Sequence, residues 1–363
     1  MSDAAYLFVT CQRGAEKALK AELSVSQPKF RASFSRPGFV TFKVPAEFAP
    51  SPQWSLESRF ARQWCWSLGK ATDDGESPAT LTKSLVQQLQ QSAPPPFHQL
   101  HVWPRDAAPV GHRGFEPGET DESRAAREAL LTKLPTELLL RDDAGKTASL
   151  RAGQRVLDVV LVEPGEWWFG WHTIRRGEPW SRWPGGIFVT EMGEEIVSRA
   201  YLKMREGITS FRWPVKFGDT VIEIGSSPGG ASQALLEMGL KVIGVDPAEM
   251  HETLLAEKKF THWRMRGNEL KKTSLRGVKW LTADLNVAPD YTLDTVEDIV
   301  TNQHVRIAGL LLTIKLPEWE LAAKIPKHLA RVKSWGYKSI RARQLSHNRQ
   351  EYCLCALREV PKE

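Results

Sequence analysis

One stretch decides the fold of the second half of this chain: Thr220-Val221-Ile222-Glu223-Ile224-Gly225-Ser226-Ser227-Pro228-Gly229-Gly230. Its β-branched and apolar residues predict a buried strand that ends at a glycine turn. Ala231 to Met238 predicts a helix, which Gly239 ends with a left-handed cap. Lys241 to Asp246 predicts a second buried strand that stops on a carboxylate. Strand, glycine turn, helix, strand and acid form the first unit of a doubly wound α/β sheet.

The composition of the turn indicates which ligand the sheet binds. A dinucleotide fold uses G-x-G-x-x-G, whose backbone N–H groups point at a pyrophosphate. Here Pro228 lies inside the turn and removes one of those donors. A ligand without phosphate fits better, and Asp246 is placed to accept a ribose diol. S-adenosylmethionine (SAM) is such a ligand, and the alternative is a structural turn with no ligand.

The length, the cysteine content and the net charge of the chain limit the class of protein to which it can belong. With 363 residues the chain suits two or three domains, each large enough for its own core. No apolar run reaches membrane-spanning length, and the first residues lack the basic region of a signal peptide. The four cysteines lack metal-ligand spacing, so we expect reduced thiols, no metal and a cytoplasmic protein. The net charge of +6 favours a polyanionic partner.

The first half of the chain mixes strand and helix patterns without βαβ regularity, which predicts a separate α+β domain. Helices are predicted over Ala15–Leu23 and Ser123–Leu134, and Gly111–Glu119 reads as a loop. Alternating or apolar runs predict the strands Tyr6–Thr10, Phe39–Val44, Phe60–Trp66 and Gln99–Trp103, and a hairpin of Arg155–Val162 and Glu166–His172.

Two segments are open to a nucleic-acid interpretation. Arg175 to Gly186 is rich in Arg, Trp, Pro and Gly, which suits a packed linker and a base-stacking wall equally well. Leu321 to Gln350 contains no acid, and such a run reads better as a phosphate track than as a solvated face. Its basic residues are Lys324, Lys327, Arg331, Lys333, Lys338, Arg341, Arg343 and Arg349.

The later strands end on ionisable residues. Val278 to Asp284 and Ala308 to Lys315 predict two further buried strands, so Asp246, Asp284 and Lys315 all lie at carboxyl ends of strands, where such sheets bind ligands. The remaining strands are Phe260–Trp263, Ser339–Arg343 and Glu351–Leu357, and a helix is predicted over Glu191–Glu206.

These residues suit methyl transfer to an alcohol, which needs alignment and removal of a proton. Lys315 can accept the proton if burial and a second cation, Lys203, depress its pKa. Asp284 would hold the two lysines, and Glu351 would position the ammonium or the hydroxyl. The competing interpretation of Lys203 is a surface pair with Glu206, three residues along the same helix.

The motifs of the second half resemble those of FtsJ-type ribose 2′-O-methyltransferases. They are Ser198-Arg199-Ala200-x-x-Lys203, Gly225-x-x-Pro228-Gly229-Gly230, Asp284, Lys315-Leu316-Pro317 and Glu351. Further pieces resemble the RlmM branch, which methylates a cytidine ribose of large-subunit rRNA: Phe60-Ala61-Arg62-Gln63-Trp64, Glu163-Pro164-Gly165 and Ala342-Arg343-Gln344-Leu345-x-His347-x-Arg349-x-Glu351. The first half resembles a THUMP-type RNA-binding domain more loosely.

The resemblance implies a Rossmann-like SAM-dependent methyltransferase sheet preceded by an α+β THUMP-like domain. Its implied boundaries are a ferredoxin-like subdomain at 1–50, the THUMP-like domain at 51–175, a linker at 176–190 and the methyltransferase domain at 191–363. The implied partner is large-subunit rRNA, with no membrane and no metal. Lys315 would be the proton acceptor, with Lys203, Asp284 and Glu351 completing the catalytic set. The SAM site would comprise Ser198, Gly225, Ser227, Pro228, Gly229, Gly230, Asp246 and Asp284.

The chain departs from the family pattern at two places. Glu223 stands where the family has Asp, and Met265-Arg266-Gly267-Asn268 lacks the acid that binds adenine. Other function classes are a SAM enzyme with a non-RNA substrate and an RNA-binding factor without catalysis. The basic run and the additional N-terminal domain disfavour the first, and the four ionisable residues disfavour the second. A nicotinamide oxidoreductase is disfavoured because the chain lacks the glycine triplet that cradles a pyrophosphate.

Overall fold

The computed structural model describes residues 5–45, 48, 51, 54–75, 77–140, 150–190 and 195–360. The chain forms two compact units, residues 1–189 and 190–363. Each unit is built on one seven-stranded sheet. Within the described residues, no helix combines the length and the apolar character needed to cross a lipid bilayer.

The N-terminal unit is a mixed sheet with helices. Its strand order is β2-β3-β1-β4-β7-β6-β5, and β5 is parallel to β6 while the other described pairs are antiparallel. Its strands are β1 (Tyr6–Thr10), β2 (Arg31–Arg36), β3 (Phe39–Lys43), β4 (Gln63–Thr72), β5 (Gln99–Pro104), β6 (Arg155–Glu163) and β7 (Glu166–Thr173). Its helices are α1 (Glu16–Ser26), α2 (Pro78–Ser92) and α3 (Asp121–Lys133).

Most predicted elements of this unit are confirmed, and the errors have local causes. β2 was not predicted because it is an exposed strand without apolar alternation. α2 was missed although its start is marked by Ser77, whose side chain accepts from Thr80 N–H, and by Pro78 in the first turn. The strand predicted from Phe60 begins at Gln63 and runs on to Thr72. The predicted boundary at residue 50 lies between β1 and β4, which pair with each other. One sheet therefore contains strands from both sides of that boundary.

The predicted linker at 176–190 lies almost wholly in the N-terminal unit, which ends at Val189. Its two glycines pack closely against the sheet. A Cβ on Gly186 would lie 2.2 Å from the carbonyl oxygen of Arg62, and one on Gly185 would lie 2.7 Å from the Trp103 ring. Both glycines also have a positive φ, which favours glycine. The segment is therefore a packed part of this unit.

The C-terminal unit has the doubly wound topology that the sequence predicts. The strand order is β10-β9-β8-β11-β12-β14-β13, parallel from β10 to β12 with β14 antiparallel to β12. Its strands are β8 (Thr220–Ile224), β9 (Lys241–Val245), β10 (Phe260–Trp263), β11 (Trp280–Asp284), β12 (Gly309–Lys315), β13 (Ser339–Arg343) and β14 (Glu351–Leu357). Its helices are α4 (Ala200–Phe211), α5 (Gly230–Glu237), α6 (Glu252–Leu255), α7 (Pro289–Val300) and α8 (Ile325–Ser334). The sheet is Rossmann-like, with β8 at the point where the strand order reverses.

The helix predicted over Glu191–Glu206 has the wrong bounds. Residues 191–194 lie outside the described part, residues 195–199 are not helical, and α4 runs from Ala200 to Phe211. Val197 N–H donates to the side chain of Gln233 at 3.0 Å, which holds the chain outside the helix there. α4 continues through Gly207, where a Cβ would lie only 3.2 Å from Leu311. Gly207 therefore lets this helix pack closely against β12.

The basic run divides into exposed and internally paired residues. Lys324, Lys327, Lys333, Lys338 and Arg349 are exposed. Arg343 is buried, while Arg331 pairs with Asp294 and Glu297, and Arg341 donates to the carbonyl of Phe211. Only part of the run can therefore contact an anionic partner, because folding uses the rest.

Candidate active site

Three strand ends converge at one edge of the C-terminal sheet. Asp284 ends β11 and Lys315 ends β12, and these strands are parallel neighbours. In the antiparallel ladder of β12 and β14, Lys315 lies directly opposite Glu351. Lys203 reaches the same point from α4. The fold therefore brings together the four residues that the sequence singled out as Lys203, Asp284, Lys315 and Glu351.

The four side chains form a ring of alternating charge. Lys315 Nζ lies 2.8 Å from Asp284 Oδ1 and also contacts Glu351 Oε2. Lys203 Nζ contacts Asp284 Oδ2 and lies 3.2 Å from Glu351 Oε1. The Lys315 and Asp284 side chains are 20% and 18% exposed and the Glu351 side chain 3%, so the ring can be approached from the side of Lys315 and Asp284. Each carboxylate bridges both ammonium groups.

The pKa values in this ring differ from the sequence prediction. Burial alone would lower the pKa of Lys315, but the Asp284 and Glu351 carboxylates outweigh it, and the pKa is raised. Burial alone would raise the pKa of Glu351, but Lys203 and Lys315 hold it at about 2. The prediction that Lys203 depresses the pKa of Lys315 is therefore wrong for this structure, because two carboxylates lie between the two cations.

Glu206 does not form the surface pair with Lys203 that we weighed above. It is 1% exposed and accepts from Ser346 N–H at 2.7 Å, Ser346 Oγ–H at 2.9 Å and His347 N–H at 3.0 Å. Lys203 turns instead to Asp284 and Glu351. The sequence analysis did not assign a role to Glu206 or to Asn348. The side-chain amide of Asn348 donates to Glu351. The position of Asn348 inside the motif that leads to Glu351 could have indicated this role.

The predicted cofactor residues lie around the turn after β8. Ser227 N–H donates to Asp246 Oδ2 at 3.1 Å, and Ala248 N–H donates to Asp246 Oδ1 at 2.8 Å, so the carboxylate is held in a fixed orientation. Gly225 has φ +80°, and a Cβ there would lie 2.8 Å from the carbonyl oxygen of Asp284. The backbone of the turn therefore lies close to both Asp246 and Asp284.

The far side of the turn reaches Ser198. A Cβ on Gly230 would lie 2.3 Å from Ser198 Oγ, and one on Gly229 would lie 2.2 Å from Leu254. Ser198 Oγ is buried and has no hydrogen-bond partner among the described residues. A fixed carboxylate for a diol, a proline in place of one N–H donor and an unpartnered buried hydroxyl fit a cofactor with ribose and amino-acid groups and no phosphate. Pro228 is exposed at this turn.

Glu223 lies beneath the ring in a nearly closed environment. It is 2% exposed, and Ser232 Oγ–H donates to its carboxyl group. Burial raises the pKa of Glu223 to about 8, with Asp284 and Asp246 adding to the effect and Ser232 and Lys203 opposing it. A small cavity of about 10 Å³ lies between Glu223, Lys203 and Asp284, room for about one water. Glu223 is therefore protonated at neutral pH.

This burial gives a pH-dependent stability. An unfolded chain loses the Glu223 proton near the ordinary pKa of 4.5, whereas the folded chain keeps it to about pH 8. The stabilisation is fully present below pH 4.5 and is lost as the pH rises through the folded pKa of about 8. We therefore expect Glu223→Gln to gain stability relative to the unmodified protein between pH 5 and pH 9. Thermal unfolding at those pH values measures this, with the exposed Glu257→Gln as control. A difference in stability that does not change with pH contradicts the prediction.

A second buried polar cluster lies in the N-terminal unit. Cys65, Asp158 and His172 bring their ligand atoms within 4.8 Å of one another, a spacing that would suit a metal ion. However, His172 Nε2 donates to the carbonyl of Ser181 at 2.7 Å, and Nδ1 contacts the Asp158 carboxylate. Burial raises the pKa of Asp158, but His172 and His101 outweigh it and the pKa is lowered. The carboxylate is therefore the ionised acceptor, and the cluster is a hydrogen-bonded pair.

Part of the C-terminal unit matches a known protein family. Residues 196–335 match the model of the FtsJ-like methyltransferase family. This range is similar to an FtsJ-like methyltransferase domain. The matched range contains Lys203, the glycine turn, Asp246, Asp284 and Lys315, and the matching family is one of SAM-dependent methyltransferases. The cofactor and fold predicted from the glycine turn are therefore confirmed.

Two curated proteins similar to this chain carry the name ribosomal RNA large subunit methyltransferase M. The protein of Pseudomonas entomophila is 30% identical over 190 residues, which cover 49% of this chain and 52% of that protein. The protein of Thauera aminoaromatica is 25% identical over 249 residues, covering 65% and 66%. The chain thus spans about half to two thirds of these relatives. The solved structure of TrmN from Thermus thermophilus covers 97% of this chain and 99% of its own with 13% identity, and its TM-score of 0.35 supports no inference.

Proposed function

We propose that this protein transfers the methyl group of SAM to a ribose 2′-hydroxyl of large-subunit rRNA, on a cytidine. The observation that carries the proposal is the ring of two lysines and two carboxylates at the strand ends beside the cofactor turn. Such a ring suits removal of a proton from a weakly acidic alcohol. The name shared by the relatives supports rRNA as the substrate class.

The residues divide the work of this reaction. Bound SAM supplies a methyl group on a sulfonium. Asp246 would hold the ribose diol of the cofactor, while Ser198, Ser227 and the turn from Pro228 to Gly230 would hold the amino-acid end. Lys315 Nζ accepts the proton of the 2′-hydroxyl as its oxygen forms the new bond to carbon. SAM would supply the methyl group and would keep the electron pair of its carbon–sulfur bond, so atoms and charge would balance.

The other three members of the ring orient Lys315. Asp284 and Glu351 each hold it on one side, and Lys203 keeps both carboxylates in place by bridging them. Once Lys315 has taken the proton, both carboxylates stabilise the resulting ammonium. This arrangement favours proton transfer late in the displacement, when the hydroxyl is most acidic.

RNA binding is assigned to both units. We infer that residues 51–175 of the N-terminal unit form a THUMP-like RNA-binding domain that follows a ferredoxin-like subdomain at 1–50, and that the exposed lysines of the basic run contact phosphates. Those lysines are Lys324, Lys327, Lys333 and Lys338. The net charge of +6 supports a polyanionic partner. We propose a cytoplasmic location on the same ground, since the proposed substrate is rRNA.

One experiment separates these assignments from the alternatives. The protein is incubated with methyl-labelled SAM and ribosomal RNA from cells that lack it, and the RNA is then hydrolysed in alkali. A 2′-O-methyl group blocks cleavage at its own phosphodiester, so we expect the label in alkali-resistant dinucleotides. Label in mononucleotides would place the methyl on a base. Label in protein or small molecules, or none, would overturn the proposal.

The raised pKa of Lys315 gives the reaction a predictable pH dependence. Only the neutral amine accepts a proton, and at neutral pH most of Lys315 is an ammonium because its pKa is raised. We expect the single-turnover rate to rise about tenfold per pH unit from pH 7 to 9. Rapid-quench measurement at saturating SAM tests this. A rate that does not change over that range would mean that Lys315 acts only as a fixed positive charge.

A further inference from the structure

The loop between β13 and β14 is unusually buried for a polar connection. Within residues 344–350, Gln344, Ser346, His347 and Asn348 are at most 5% exposed. Loops usually run over the surface, because a buried polar backbone needs partners. This loop ends at Glu351, the carboxylate that bridges the two lysines. The way in which the loop is held therefore decides where Glu351 lies.

Glu206 on α4 supplies the contacts that hold the middle of this loop. Its Oε1 accepts from Ser346 N–H at 2.7 Å, and its Oε2 accepts from Ser346 Oγ–H at 2.9 Å and His347 N–H at 3.0 Å. These hydrogen bonds are charge-assisted and buried, the class that contributes most to fixing a geometry. One carboxylate thus satisfies two consecutive backbone N–H groups and a hydroxyl.

The loop passes this constraint on to Glu351. Asn348 Oδ1 accepts from Leu345 N–H at 2.8 Å, and Asn348 Nδ2 donates to Glu351 Oε1 at 3.2 Å. Arg349 N–H donates to the same oxygen at 3.2 Å. Glu351 Oε1 is the atom that lies 3.2 Å from Lys203 Nζ. A continuous set of hydrogen bonds therefore runs from Glu206 through the loop to the ring.

We propose that Glu206 is a positioning residue for methyl transfer, which fixes the 344–350 loop so that Glu351 bridges Lys203 and Lys315. Lys203 and Glu206 lie one turn apart on α4, so one rigid helix holds a cation of the ring and the anchor of the opposite carboxylate. The inference rests on the proposed function for its kinetic test only.

Two consequences separate this role from a general contribution to stability. First, a loosened loop displaces Glu351 from the ring without touching the cofactor turn, so kcat should fall while SAM affinity stays. Second, the groups that face Lys315 are Asp284 on β11 and Glu351 on β14, with Lys203 on α4 bridging both. Displacing Glu351 leaves Asp284 alone to raise the pKa of Lys315, so the rising limb of the pH–rate profile should move to lower pH.

The test is Glu206→Gln, which keeps the shape of the side chain and removes its charge. We expect kcat to fall about 10- to 100-fold, since displacement of a reacting group by about 1 Å has effects of this size. The Kd of SAM by calorimetry should change less than about threefold, and the pH–rate limb should move to lower pH. Glu206→Asp should retain more activity than Glu206→Ala.

The matched control is Ser210→Ala, one turn further along α4. Ser210 is 0% exposed and its hydroxyl has no partner among the described residues, so kcat and the pH profile should stay unchanged. If Glu206→Gln fails to fold, Ser346→Ala and Asn348→Ala test the inference instead. Each of these variants should lower kcat and move the pH–rate limb to lower pH. An unchanged kcat, or a fall in kcat with an unmoved pH limb, overturns the inference.

A readout without RNA keeps the two proposals distinguishable. The Cε resonance of ¹³C-labelled Lys315 reports its titration in the protein alone. If the unmodified protein methylates no RNA, the proposed function fails, while a lower Lys315 pKa in Glu206→Gln still supports positioning by Glu206. An equal Lys315 pKa in both proteins overturns the positioning role whatever the substrate.

Discussion

Lys315→Ala is expected to lower the single-turnover rate of methyl transfer about 10³-fold, within the range for removal of a general base. Both lysines contact Asp284 and Glu351, but the Lys315 side chain is 20% exposed against 11% for Lys203, so Lys315 is the amine that a hydroxyl reaches more easily. SAM affinity should change little, because Asp246 and the glycine turn are left intact. Rapid quench and calorimetry on the same preparation measure the two quantities.

Two further variants show whether the loss of activity comes from the missing proton acceptor or from the missing positive charge. Lys315→Arg keeps the positive charge but does not release its proton at neutral pH, so it should be nearly as impaired as alanine. Lys333→Ala removes an exposed lysine of the basic run and should leave the chemical step unchanged, with only a modest loss of RNA affinity. Full activity in Lys315→Arg would show that charge, and not proton acceptance, is what the site requires.

The second large effect is expected in the N-terminal unit, where Asp158→Asn should lower the free energy of unfolding by about 3–5 kcal/mol. Asp158 and His172 are each 0% exposed and contact each other directly. The Asn amide keeps one acceptor oxygen but puts an NH2 donor in place of the other and removes the negative charge, so the contacts to His172 and His101 lose their charged acceptor in a fully buried site. Urea unfolding measures the loss, and hydrogen exchange should localise it to β6 and β7.

An exposed acid provides the comparison for this variant. Asp121 is 99% exposed at the start of α3 and pairs with Arg124, so Asp121→Asn should cost about 1 kcal/mol or less. The lowered pKa of Asp158 adds a pH signature. The contribution of Asp158 to the free energy of unfolding is fully present above the pKa that Asp158 has in the unfolded chain. It is lost as the pH falls through the lower pKa that Asp158 has in the folded protein. An unfolding free energy of Asp158→Asn equal to that of the unmodified protein would contradict the buried pair.

Sequence predicted the C-terminal sheet well because its signals are local. The apolar strands, the Pro-Gly-Gly turn and the terminal acids lie within short windows, and parallel strands bring their carboxyl ends to one edge. The register of β12 and β14 then places Lys315 opposite Glu351. Lys203 was placed at the site although the helix that carries it begins later than predicted.

The sequence could not predict features that depend on distant contacts. Glu206 and Ser346 are 140 positions apart, and the helical spacing favoured the nearer partner, Lys203. The direction of the Lys315 pKa shift depends on which carboxylates lie between two lysines, and only side-chain positions reveal this. β2 carries no periodic pattern because both of its faces are largely exposed.

The most direct test of the central claim is to map 2′-O-methyl groups in the large-subunit rRNA of cells with and without this protein. The account predicts that one cytidine loses its methyl group when the gene is deleted. It predicts restoration of that methyl group by the unmodified protein and not by Lys315→Ala. An identical set of ribose methylations in both strains, or restoration by Lys315→Ala, would contradict the account.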